Sequence, residues 1–379
     1  MELSFWEKNS YFSNIDVLVI GSGIVGLNTA RAIKEQQPNH KILVIDRGFL
    51  PYGASTRNAG FACFGSLTEL MDDLTRMTES EVFDLVQRRW EGLKKLRALL
   101  GDKNIGYEAL GGYEVFATAD EKNYKHCNDQ LDYFNDSLFK ITGIKNSYQK
   151  KDNCIADFGF DHVKHLIINT GEGQIDTGKM MQSLLKYVRE KGVEVLNGIE
   201  IKSFEEMNDG IKISTSQGFS FHAKQVVIST NAFAKQLLPE LEIEPGRAQV
   251  LITSSIENLQ VKGSFHYEKG YYYFRNVGDR ILFGGGRNLD FSTEQTTEFG
   301  LTEIIQNKLE ELLSTMILPR NKYIVEQRWS GIMGLGKTKN TIVKKISDHL
   351  FCAVRMGGMG IAIGTMVGEE AAKLLIENS

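Results

Sequence analysis

Long apolar runs are missing from this chain of 379 residues. None approaches the roughly 18–20 consecutive apolar residues that cross a bilayer. The opening MELSFWEKNSYF has no extended apolar core either, so no secretory leader is expected. Cysteine is scarce. The four present, Cys63, Cys127, Cys154 and Cys352, lie far apart and never form C-x-x-C. Their spacing indicates neither a zinc site nor a disulfide framework. An excess of one charge is also lacking: 44 Lys and Arg stand against 48 Asp and Glu, a net −4, with the signs interspersed. That balance gives no support for binding nucleic acid or an anionic membrane. What remains is a reduced, cytoplasmic globular protein. With 42% hydrophobic and 24% charged residues, it is long enough for one large domain or two ordinary ones.

The clearest signal stands near the start. DVLVI (16–20) reads as a buried parallel strand, and GSGIVGLNTARAIKEQ follows as a tight turn opening a helix. KILVID then reads as a second strand. In this βαβ unit Gly21, Gly23 and Gly26 form G-x-G-x-x-G, with Ser22 and Ile24 between them. The first glycine permits the turn, the second lets a pyrophosphate approach the backbone, and the third lets helix and strand pack closely. The helix N-terminus offers free N–H groups to phosphates. Asp46, twenty residues after Gly26, ends the second strand. A carboxylate there accepts hydrogen bonds from a ribose diol. NAD and FAD share this half. An NAD dehydrogenase would continue with further βα units, whereas here Arg47 leads into GASTRNAGFACFGS, a small polar loop suited to lie along more cofactor.

GIMGLGKT (331–338) fits the phosphate-binding pattern G-x-x-x-x-G-K-[ST]. Its Lys-Thr should begin a helix. KNTIVKKISD follows instead, with β-branched residues and no amphipathic stripe, and only 41 residues remain. ATP binding is not expected, and Lys337, Lys339, Lys344 and Lys345 read as solvated surface.

Elsewhere, Thr78 and Glu81 make a capping box before a helix reaching Gly101, with Val82, Val86, Leu93, Leu96 and Leu100 at helical spacing. Residues 120–170 are polar and mixed and give no clear pattern. IDTGKMMQSLLKYVREKG reads as an amphipathic helix, followed by short strands to about 230. YYYFR and RILFGGG, joined by NVGD, predict a hairpin. LTEIIQNKLEELLSTMI predicts a helix stopped before Pro319, and the last helix covers roughly Ile361–Glu377.

Four segments together resemble the D-amino-acid oxidase superfamily of FAD-dependent oxidoreductases, which includes glycine, sarcosine and γ-glutamylputrescine oxidases. They are the fingerprint through Asp46, GASTRNAGF (53–61), QVVISTNAF (225–233) and MGGMGIAIGTMVGEEAAKLL (356–375). PGRAQVL (245–251) and RILFGGG (280–286) resemble the family's substrate-domain strands. The resemblance covers nearly the whole chain and implies an α/β, two-domain fold. A Rossmann-like FAD-binding domain would comprise 1–65, 172–240 and 330–379. A substrate domain with a mixed or antiparallel sheet and flanking helices would comprise 66–171 and 241–329.

It also implies a cofactor site. Ser55, Thr56, Arg57, Asn58, Ala59 and Gly60 would lie along the pyrophosphate and flavin, Ile201 would meet adenine through its backbone, and Thr230 and Asn231 would sit near the nucleotide. Gly357, Gly358, Met359, Gly360 and Ile361 would cradle the isoalloxazine edge, although Gly364 and Gly368 also read as helix-packing positions. FAD is expected to be non-covalent, because Gly331 stands where sarcosine oxidases attach it through cysteine. Met333 matches the place where many amino-acid oxidases hold the substrate carboxylate with arginine. Leu282 matches the place of an oxygen-activating lysine.

The activity implied is oxidation of a C–N bond in an amine or amino acid by hydride transfer to flavin N5. A flavin dehydrogenase feeding a quinone or carrier, a non-catalytic flavin subunit and, more remotely, an NAD dehydrogenase are the alternatives. Tyr271, Tyr272 and Tyr273 are substrate-contact candidates, set against ordinary cross-strand packing. Arg275, Arg287 and Arg328 are candidate anion anchors, set against ion pairing. No catalytic side chain and no metal ligand is assigned.

Overall fold

The computed structural model describes residues 2–378. Two eight-stranded sheets carry the fold. In the first, Ile15–Ile20 lies between Ile42–Asp46 and Ser220–Ile228. Glu194–Asn197 extends one side, and Leu350–Val354 then Ile342–Lys345 the other. Pairing is parallel from Glu194–Asn197 to Leu350–Val354 and antiparallel at Ile342–Lys345. Ile201–Met207 and Gly210–Thr215 continue from Ser220–Ile228 as an antiparallel ribbon.

These strands are continuous apolar runs because both of their faces are covered. The alternation of side chains sends Val17, Val19 and Val44 into one cluster with Leu27, Ile33, Val367 and Leu375 of the flanking helices. Leu18, Ile20, Leu43 and Ile45 enter another with Ile211, Ile213, Leu241 and Ile243.

Helix Gly360–Ile376 packs on both Ile24–Gln36 and Glu79–Leu100. The latter is capped by Thr78 and Glu81 as its sequence predicts, buries Val82, Val86, Leu93, Leu96 and Leu100, and ends at Gly101 with φ +82°. Small residues let the backbones approach. A Cβ at Gly92 would stand 2.1 Å from the Ala362 carbonyl oxygen, and one at Gly368 would stand 2.6 Å from Asn28 Cβ. Gly364 meets Ile24 in the same way, so both late glycines serve helix packing.

The second sheet runs Val325–Leu335, Glu244–Thr253, Arg280–Gly285, Tyr272–Val277, Ser264–Tyr267, Gly112–Ala117, Val163–Asn169, Tyr148–Lys150. Its one parallel pairing joins Ser264–Tyr267 to Gly112–Ala117. The hairpin of Tyr272–Val277 with Arg280–Gly285 forms as read. The patternless stretch 120–170 holds helices Glu121–Asp129 and Leu131–Thr142 and two of these strands. The expected helix before Pro319 is α-helical over Glu303–Leu312 and finishes as a π turn, Leu313–Ile317. The boundary suggested at residue 330 falls inside Val325–Leu335, which pairs with Glu244–Thr253 along its whole length. Gly331–Leu335 of GIMGLGKT is therefore strand. Bends follow, and the next element is the strand Ile342–Lys345, so no helix begins at Lys337 or Thr338.

Candidate cofactor and substrate site

A cavity of about 630 Å³ lies between the sheets, in the size range of cofactor clefts. The fingerprint opens it. Gly21 adopts φ +108°, and a Cβ there would stand 2.9 Å from the Ser229 carbonyl oxygen, so only glycine fits. Gly21, Gly23, Ile24, Asp46 and Arg47 line the cavity, whereas Ser22 and Gly26 do not. Ser22 is buried and donates its N–H and Oγ–H to Asp46 Oδ2 at 2.9 and 3.0 Å. Gly26 is a packing position, where a Cβ would stand 1.9 Å from the Gly21 carbonyl oxygen.

The loop after Asp46 forms the next wall, with Ser55, Arg57, Asn58, Ala59 and Gly60. Ser55 Oγ accepts from Ile24 N–H at 2.9 Å, tying this loop to the helix N-terminus. Thr56 turns away and donates to the Pro51 carbonyl. Arg57 is held rather than free. It donates to the Ser330 carbonyl at 2.9 Å, and its guanidinium lies 4.5 and 4.4 Å from the ring centroids of Tyr52 and Phe299. Asn58 Oδ1 accepts from Gly60 N–H.

Ile201, Thr230 and Asn231 line the same end. Asn231 Oδ1 accepts from the N–H groups of Arg355 and Met356, holding the chain as it enters Gly357–Ile361, which also line the cavity. The residues present fit an FAD. Ser229 Oγ and Thr230 Oγ1 are buried beside the cavity with no hydrogen-bond partner. Gly357 has φ +57°, and a Cβ there would meet nothing within 4 Å. The helix starting at Gly360 directs its N-terminus at this wall, where it stabilises negative charge.

Beyond the glycine wall the cavity forms a chamber against the second sheet. Met333, Tyr271, Tyr273 and Arg287 line it, and Tyr272, Arg275 and Arg328 do not. The strand period decides the tyrosines. Tyr273 faces the chamber edge-on to Phe61, with burial pushing its hydroxyl up to about 12, while Tyr272 points to the opposite face and is core. Tyr271, just before the strand, is 40% exposed. Arg275 is a buried brace donating to the carbonyls of Gly60 and Ile175 at 2.9 and 2.7 Å. Arg328 is committed to Gln306 and to Glu310 at 2.7 Å. Arg287 is different. Its Nε is buried without a partner, its guanidinium lies 5.0 Å from the Phe291 ring centroid, and burial pulls its pKa down. Leu282 is buried and lies outside the lining.

Sequence reading missed further lining residues: Cys63, Glu69, Arg89, His266, Lys269 and Lys339. They come from separate elements and share no motif. Burial raises the Glu69 pKa, but Lys339, His266 and Arg89 outweigh it and leave a stable carboxylate. Burial lowers the His266 pKa against the pull of Glu69. Lys269 pairs with Asp72 at 3.1 Å and Lys339 with Asp73 at 2.8 Å. Arg89 donates to the Phe64 carbonyl at 3.3 Å and, like Arg287, has a buried Nε without a partner and no ion pair among the described residues.

Comparisons with known proteins bear on the fold and the family. The Haemophilus influenzae protein named "Probable oxidoreductase OrdL" is 19% identical over 377 residues, covering 95% of this chain and 83% of that one. A D-amino acid dehydrogenase of Helicobacter pylori is 24% identical over 251 residues, covering 57% of this chain and 60% of its own length. Glycine oxidase from Bacillus cereus has the same fold, with a TM-score of 0.76 at 17% identity over 96% of this chain and 98% of that one. L-proline dehydrogenase from P. horikoshii gives 0.74 at 18%, over 96% and 94%. The profile of the DAO family, FAD dependent oxidoreductase, matches residues 16–374. The chain belongs to this family: it is an FAD-dependent oxidoreductase with the family's two-sheet α/β fold.

Proposed function

We propose that this enzyme oxidises the C–N bond of an amine or amino acid held in the chamber between Gly357–Ile361 and the second sheet. One observation carries the reading. A single cavity connects the fingerprint and Asp46 to a wall of Phe61, Tyr273 and Met333 beside Arg287, whose buried Nε has no partner. Gly21, Gly23, Asp46 and Gly357–Ile361 would hold FAD, which when bound would supply the electron sink for a hydride at N5. The chain's own part is placement and exclusion of water. Tyr273 and Phe61 pack the substrate, and Arg287 holds an anionic group on it. Met333 offers no charge, and Arg287 is the cation we assign to the carboxylate of an amino-acid substrate. The names of the Helicobacter dehydrogenase and the Bacillus glycine oxidase support an amino-acid or amine substrate.

Anaerobic mixing of the flavin-loaded enzyme with glycine, sarcosine, D-alanine, proline and a series of alkylamines tests the proposal. Bleaching of the flavin absorbance by at least one class is expected, and an unchanged spectrum with every compound refutes it. Readmitting air separates an oxidase, whose colour returns, from a dehydrogenase that needs another acceptor.

A further inference from the structure

The chamber wall contains a constellation that amine oxidation leaves unused. Cys63 follows the short strand Phe61–Ala62, Glu172 precedes the strand Gly173–Gln174, and His266 lies in Ser264–Tyr267. Their exposures are 1%, 1% and 6%. The Cys63 Sγ, a Glu172 carboxylate oxygen and a His266 ring nitrogen all lie within 4.8 Å of one another. Glu172 Oε1 accepts from the N–H groups of Phe64 and Gly65 at 2.9 and 3.0 Å, which fixes the carboxylate plane. Glu172 Oε2 and His266 Nε2 are buried with no hydrogen-bond partner. Cys63 and His266 line the cavity, with Glu172 behind them.

We propose that Cys63, Glu172 and His266 form a three-ligand site for a zinc-class divalent cation, with its open fourth position facing the chamber. Thiolate, imidazole and carboxylate suit zinc, and three protein ligands with one open position is the arrangement of reactive zinc sites. Magnesium and calcium prefer more, and harder, oxygen ligands. Tetrahedral binding needs ligand atoms about 3.3 to 3.6 Å apart. The side chains therefore need to draw inward by no more than about 1.5 Å, while the Phe64 and Gly65 N–H groups keep Glu172 oriented. Gly112 makes room for the carboxylate, since a Cβ there would stand 2.0 Å from Glu172 Oε2. Binding converts Cys63 S–H to a sulfur–metal bond and releases that proton to solvent; nothing is oxidised. The cation then presents a Lewis-acidic face to a heteroatom of the chamber's occupant.

The test uses the flavin-loaded full chain, stripped with chelator and dialysed against zinc. One zinc per chain is expected, with sulfur in its X-ray absorption shell and no comparable retention of magnesium. Cys63→Ala and His266→Ala should each weaken zinc binding by at least about tenfold in titration calorimetry. Equal zinc binding by wild type and both variants overturns the proposal. Should either variant fail to fold, the wild-type spectrum decides, and a sulfur-free shell or absence of bound zinc overturns it. A thiol–carboxyl hydrogen bond without metal would appear as a shifted S–H stretch in the zinc-dialysed protein, and also counts against the site. None of these readouts depends on amine turnover.

Discussion

Asp46 shows why a motif residue has two roles at once. Its Oδ2 accepts from Ser22, its Oδ1 accepts from Gly48 N–H at 3.0 Å, and the same side chain borders the cavity. Asp46→Ala is expected to weaken FAD binding by roughly 1.5–3 kcal/mol, the scale of a hydrogen bond to a charged acceptor. It should also lower the thermal midpoint of the apoprotein, because Ser22 keeps a buried donor without a partner. Fluorescence titration with FAD and a thermal scan check the two effects, and an unchanged dissociation constant removes Asp46 from the ribose. At Arg287 the expected signature is selective. Arg287→Ala should raise KM for amino acids at least tenfold while changing alkylamine turnover little, since the lost pair is charge-assisted. Arg328→Ala, which breaks a partly exposed pair with Glu310, should leave both within about twofold. Equal effects of Arg287→Ala on both substrate classes would contradict the assignment. A third residue sets a pH dependence. Burial raises the Glu114 pKa to about 7, against the hydrogen bonds from Thr68. Unfolded glutamate titrates near about 4.3. The folded state therefore retains a proton that the unfolded state loses, and stability falls as pH rises from about 4.3 to 7, then levels. Glu114→Gln keeps both Thr68 contacts and should flatten that slope in urea denaturation from pH 5 to 8; an unaltered slope would refute it.

At the scale of elements, the three packed helices depend on absent side chains. Gly92 faces the Ala362 carbonyl, two residues into the helix that begins at Gly360 and directs its N-terminus at the cavity. Gly92→Ala must push Glu79–Leu100 and Gly360–Ile376 apart. A loss of about 1–3 kcal/mol in urea denaturation is expected, as for other overpacked interiors. FAD affinity should fall with it, because the displaced helix carries the wall at Met359–Ile361. Wild-type affinity in a destabilised variant would show that the helix end does not position the cofactor. Gly26→Ala would fail more severely, with its Cβ 1.9 Å from the Gly21 carbonyl oxygen.

For the whole molecule, the cavity exists because the two sheets meet, and the proposed non-covalent attachment of FAD follows from the side chains that junction brings together. Gly331 faces the Arg57 backbone and side chain, Cys352 is buried within the strand Leu350–Val354, and of the four cysteines Cys63 alone borders the cavity. Acid precipitation is expected to release all flavin to the supernatant. Colour retained in the pellet of wild type but not of Cys63→Ala would reverse the non-covalent expectation and identify the attachment point.

The amino-acid sequence by itself determined what local physics controls. The strand, glycine turn, helix and acidic strand end are contiguous, so backbone sterics and burial period write the cofactor end directly into residues 16–46. The capping box at Thr78 and the hairpin at 272–285 are legible for the same reason. The helices within 120–170 were not, because Tyr124, Cys127, Leu131, Phe134 and Leu138 are the few buried positions on otherwise polar surface helices. Side-chain facing in YYYFR also waited for the tertiary structure. Alternation makes neighbouring tyrosines differ, but only the position of the second sheet says which face meets the cavity. The arginines show the same limit: nothing local distinguishes Arg275, a brace for two carbonyls, from Arg287, left unpaired. Cys63, Glu172 and His266 are separated by about a hundred residues at each step, and their meeting is a consequence of sheet order, which no spacing in the chain encodes.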